Sequence, residues 1–171
     1  MDTKQMRHSA AESIVEASKF AAMMGVSAAD LGIEISASFY LNIRDAMFHF
    51  KALCDYIEAG NEEKAVKNYH NLMEHINRGE KDAVILLIQQ AVSAVTSIIQ
   101  LNGLDSEDMG KDIAMLQHYM HLLKGNLLHI RSSGISVSGE WEFSVKEEWT
   151  EVVRYILAID KICKRHGMTL F

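Results

Sequence analysis

Proline is missing altogether from the 171 residues. At ordinary usage about eight would be expected. Their absence excludes collagen-like, Pro-rich and linker-heavy architectures, and it leaves long helices without a built-in breaker. Cysteine is nearly missing too. Cys54 and Cys163 are too few and too far apart for a disulfide scaffold or a zinc knuckle. Both fall inside apolar stripes, as buried free thiols of a reducing compartment do. Basic excess is lacking: 17 Lys and Arg stand against 23 Asp and Glu, a formal net charge of −6. That argues against a protein that coats nucleic acid, although a local basic patch is permitted. The N-terminal stretch carries Asp2, Glu12 and Glu16 and no long apolar core. Neither a secretory signal nor a transit peptide is expected there, and the expected location is the cytoplasm. No G-x-S-x-G, G-x-x-x-x-G-K or G-x-G-x-x-G occurs. No cofactor is therefore expected.

What is present is helical periodicity. Ala10, Ile14, Ala17, Ala21 and Met24 step by 4, 3, 4 and 3, and Gly25 is expected to end this first helix. Ser27 with Asp30 resembles a capping box for a second helix over about 28–59. Its stripe is Phe39, Ile43, Ala46, Phe50, Leu53 and Ile57, and Gly60-Asn61 closes it and caps the next. A third pattern starts at Glu62, passes Gly79 and runs to 102. A glycine costs a helix only about 1 kcal/mol, so one long helix is expected rather than two. Met109, Ile113, Leu116, Met120, Leu123, Leu127 and Ile130 mark a fourth helix, capped by Asp105 or Ser106. Val145, Trp149, Val152, Ile156, Ile159 and Cys163 mark a fifth, with Ser144 and Glu147 as its capping box and Gly167 at its end.

Residues 83–104 form an uncharged run of 22, long enough to span a bilayer. Gln89, Gln90, Ser93, Thr96, Ser97 and Gln100 would all need partners in hydrocarbon, and no flanking Lys/Arg asymmetry sets an orientation. A central helix covered on most sides by protein is the expectation, with no membrane contact. The predicted fold is all-α: an antiparallel bundle of about five long helices, with one loop near 132–143, in a single domain over 1–171. In that loop Trp141 and Phe143 flank Glu142, as a lid over the core or a partner contact would.

Eight histidines are about twice the usual share, and six of them lie in the second, third and fourth helices. Arg44-Asp45-Ala46-Met47-Phe48-His49 reads R-D-x-x-x-H. In this motif and in its all-helical class the chain resembles HEPN domains, many of which are metal-independent ribonucleases, toxins or antiviral effectors. The resemblance implies that Arg44 holds the scissile phosphate and that His49 is the general acid/base. It also implies that two motifs face each other across a dimer interface. The chemistry suits the residue types, since an imidazole titrates near neutrality and a guanidinium can hold the charge of a phosphorane. Within one helix, residues five apart point about 140° apart, so a single chain brings Arg44 and His49 together poorly. As a plain surface, Arg44 shares its face with Lys51 in water.

The third helix adds His75, Arg78 and Asp82, with His70 and Glu74 just before. Together with Arg44, Asp45 and His49 these form a candidate polar seam between two helices. Such a network either fixes register or carries chemistry. Asp45/His49, His70/Glu74 and His118/His121 share helix faces and offer a metal-site alternative. Neither Glu-x-x-His nor His-Glu-x-x-His occurs, and His118, His121 and His129 lie opposite the apolar seam of their helix. No metal ligand is assigned. The expected function is that of an intracellular helical protein acting through protein–protein contacts, chiefly self-association into a homo-oligomer. The alternative is a HEPN-like ribonuclease or RNA-binding effector using Arg44 and His49. A metal-binding bundle is third.

Overall fold

The computed structural model of the chain describes residues 1–101, 110–132 and 145–171. Among these there are five helices and no strand: α1 (Thr3–Leu31), α2 (Ala37–Glu58), α3 (Glu62–Leu101), α4 (Gly110–Ser132) and α5 (Val145–Arg165). The all-α class holds, and 62–101 is one helix of 40 residues running straight through Gly79. The loop near 132–143 with Trp141 and Phe143, Met109, and the caps at Asp105, Ser106 and Ser144 lie outside the described residues.

The first boundary differs from expectation. Gly25 lies inside α1, which continues to Leu31, and Ser27 and Asp30 are helical, not a cap. The apolar stripe does not stop at Gly25, because Met24 and Ala28 are both buried. Burying that face outweighs the roughly 1 kcal/mol a helical glycine costs. The actual stop is Gly32, at φ 69°, where the Ile33 amide donates back to the Ala28 carbonyl at 3.1 Å. A left-handed residue at that position needs glycine. Consequently α2 begins at Ala37, not near 28, and Ile33–Ile35 are not helical. The Asn61 cap is as expected, with its Oδ1 accepting from the Lys64 amide at 3.2 Å.

The described residues fall into two compact units. The first holds α1 to Val26, α2, and α3 to Ala83. Its core is Ala10, Ala17, Ala46, Leu53, Ala65, Leu72 and Ile76. Four of these are alanines, which let helices approach closely at a point of crossing. Phe20 meets Phe39 edge to face, with ring centroids 6.0 Å apart.

The second unit holds residues 27–34, α3 from Val84, α4 and α5. Here α3 buries Val84, Leu87, Ile88, Ala91 and Val95, a single face. Gln89, Ser93, Ser97 and Gln100 are exposed on the other side, so this half is amphipathic and not covered all round. By length and composition α3 is the one described helix that could cross a membrane. The pairing of α4 with α5 is antiparallel: Asp112 at the start of α4 accepts from Arg165 and His166 at 2.9 and 2.8 Å, and Asn126 near its end donates to Glu148 at 3.1 Å.

Candidate functional site

The site is built where α2 and α3 run antiparallel in the first unit. Gly79 makes it: a Cβ there would stand 3.0 Å from Asn42 Cβ and 3.3 Å from the Phe39 carbonyl oxygen. Glycine thus lets the two backbones approach, and short polar side chains span the gap. Along α2 these are Ser38, Asn42, Asp45 and His49, at steps of 4, 3 and 4. Along α3 they are Asn68, His75 and Asp82, all on a matching face.

All but Asp45 form two runs of hydrogen bonds, which meet at a contact between two imidazole rings. Ser38 Oγ donates to Asp82 Oδ2 at 2.8 Å. Asn42 donates its Nδ2 to the Ser38 carbonyl at 2.9 Å and so turns Oδ1 toward His75. His75 Nδ1 sits 3.1 Å from that oxygen. On the other side His49 Nδ1 lies 2.9 Å from Asn68 Oδ1, and Asn68 Nδ2 donates to the Lys64 carbonyl at 2.8 Å. An amide oxygen only accepts, so both imidazoles must carry a proton on Nδ1. The two rings meet each other, centroids 5.3 Å apart and planes inclined by 21°. Asn42 is buried, yet its amide is used on both sides, as a buried polar group requires.

Asp45 lies next to this pair. Arg44 Nε and Nη2 both donate to Asp45 Oδ1, at 3.0 and 2.8 Å. That bond holds the Asp45 carboxyl below its usual range against some desolvation, and the charges of Arg44, His75 and His49 act in the same direction. The structure therefore brings Asp45, His49 and His75 together and reaches Asp82 through Ser38 and Asn42. Arg44 and His49 do not share a cleft within the chain. Arg44 is 59% exposed and folds back on Asp45, while His49 turns into the seam. Arg78 is exposed and pairs with Glu74 on its own helix.

Arg44 instead belongs to the outer face of α2. There Tyr40, Ile43, Arg44, Met47, Phe48 and Lys51 line an open, mostly apolar depression. Met47 and Phe48 are 57% and 65% exposed. Charges rim this face in pairs, Arg44 with Asp45 and Lys51 with Asp55.

The i, i+4 pairs considered for metal are otherwise engaged: His49 with Asn68, and Glu74 with Arg78. His70, His118, His121 and His129 are exposed. Among the described residues no three His, Cys, Asp or Glu side chains are grouped to hold an ion. Sequence reasoning missed Ser38, Asn42, Asn68 and the role of Gly79. The spacing was there to be seen, since Ser38 and Asn42 continue the Asp45/His49 stripe by whole turns. No protein family, curated protein or solved structure matches this chain.

Proposed function

We propose that the protein acts through protein contacts and associates with itself through the outer face of α2. The observation that carries this reading is the exposure on one helix of Tyr40 and, two turns on, of Met47 and Phe48, at 52%, 57% and 65%. Each large apolar side chain taken out of water contributes about 1.5–3 kcal/mol. A contiguous apolar strip rimmed by charge pairs is the usual form of a contact surface. A cytoplasmic setting without membrane contact fits two free cysteines and the outward row of Gln89, Ser93, Ser97 and Gln100. The test is solution mass by light scattering. The wild type is expected as a dimer or larger, and Met47→Lys/Phe48→Lys as a monomer with an unchanged helical spectrum. A wild type that stays monomeric at high concentration overturns the reading.

A second reading is favoured by a separate observation. His49 is held by Asn68 in the tautomer that leaves Nε2 basic, as a general base requires. This supports the HEPN-like alternative, a metal-independent ribonuclease or RNA-binding effector with His49 as acid/base and Arg44 as phosphate holder. The two readings are compatible, because Arg44 lies on the proposed contact face. It ranks second because Asp45, Glu74 and Asp82 offset the charge of Arg44 and Arg78 around the seam. Cleavage of single-stranded RNA in EDTA, lost in Arg44→Ala, is the expected result; its absence from a folded wild type removes this reading.

A further inference from the structure

We propose that His75 is the catalytic partner of His49, and that the two imidazoles form a proton-transfer pair for cleaving the phosphodiester bond of RNA. The inference rests on the ribonuclease reading above and adds a second catalytic residue, on a different helix, to it.

Three observations carry it. The rings come from α2 and α3 and lie in contact, with centroids 5.3 Å apart. Each gives its Nδ1 proton to an asparagine oxygen whose orientation is set by a second bond, from Asn42 to the Ser38 carbonyl and from Asn68 to the Lys64 carbonyl. The arrangement is built twice, once for the histidine of each helix. In both rings Nε2 is left as the nitrogen that takes and gives protons. Finally, both residues are half-buried and not sealed in the core. Arg44 lies one residue from Asp45, whose carboxylate feels both rings.

The step balances without metal or co-reactant. The ribose 2′-oxygen attacks phosphorus and passes its proton to Nε2 of one neutral imidazole. The bond from phosphorus to the 5′-oxygen breaks, and that oxygen takes the Nε2 proton of the other, protonated imidazole. The products are a 2′,3′-cyclic phosphate and a free 5′-hydroxyl. When water opens the cyclic phosphate, the two imidazoles exchange roles and regain their starting protonation.

The test uses the full chain, a mixed-sequence single-stranded RNA, EDTA throughout, and the variants His49→Asn and His75→Asn. Asparagine keeps a donor in the place of Nδ1, so the bonds to Asn68 and Asn42 survive while Nε2 is removed; circular dichroism and melting check the fold. The expected result is wild-type cleavage to cyclic-phosphate and 5′-hydroxyl ends, slowed at least about 100-fold in each variant. The double variant should be little worse than either alone, as for residues that act as a unit. If His75→Asn cleaves like the wild type while His49→Asn does not, the role given to His75 is overturned and the Arg44/His49 reading survives. If the folded wild type does not cleave, or both variants cleave as fast as the wild type, both fall.

Discussion

The imidazole of His49 lies against that of His75, planes 21° from parallel, and each ring donates Nδ1 to a different asparagine. Two helices are thereby keyed together by side chains whose orientation is fixed at both ends.

Asn42 is the key on the buried side. Asn42→Ala removes the acceptor for His75 and the donor to the Ser38 carbonyl. The expected cost is about 1–3 kcal/mol, or roughly 2–4 °C in Tm for each kcal/mol. Nitrogen-detected NMR should show His75 as the Nδ1–H tautomer in the wild type and a tautomer mixture in the variant.

Two glycines in helix interiors should respond in opposite ways. Gly25 has open space around its Cβ position, whereas that of Gly79 abuts Asn42 and the Phe39 backbone. Gly25→Ala is expected to stabilise by about 0.5–1 kcal/mol. Gly79→Val is expected to destabilise by about 1–3 kcal/mol or more, because a backbone oxygen cannot move aside. Urea melts of the two variants check the opposite signs.

Leucines of the two units separate pattern from burial. Leu72 is fully buried, so Leu72→Ala should cost about 2–5 kcal/mol. Leu128 on α4 is 69% exposed, and Leu128→Ala should stay within about 0.5 kcal/mol of the wild type. The midpoint of chemical unfolding reads both.

Glu148 gives a pH signature in the second unit. Burial pushes its carboxyl above the usual range, Glu151 and Glu147 add to this, and His129 and the Asn126 bond oppose it. A carboxyl raised in the folded state stabilises fully below its unfolded pKa, and that contribution is lost as pH rises through the folded value. At neutral pH the charged Glu148 is therefore a cost. Glu148→Gln should melt above the wild type at pH 7, and the gap should close below about pH 4. A gap that persists or widens in acid would contradict this.

The amino-acid sequence by itself determined the helical class, the span of α3 and α5, and which face α5 buries. Those features follow from local chemistry: apolar spacing near 3.6, an asparagine cap at Asn61 and the absence of proline act within a few residues of one another. Three matters were decided only by the tertiary structure. Gly25 did not end α1, because burial of Met24 and Ala28 on either side of it outweighs a weak glycine penalty. Met47 and Phe48 stayed exposed, because spacing alone does not say whether a second neighbour covers residues that lie off the stripe. Lastly, His49 found His75 and not Arg44. Contact between residues 26 positions apart depends on how closely two helices cross, and Gly79, which reads locally as a defect, sets that approach.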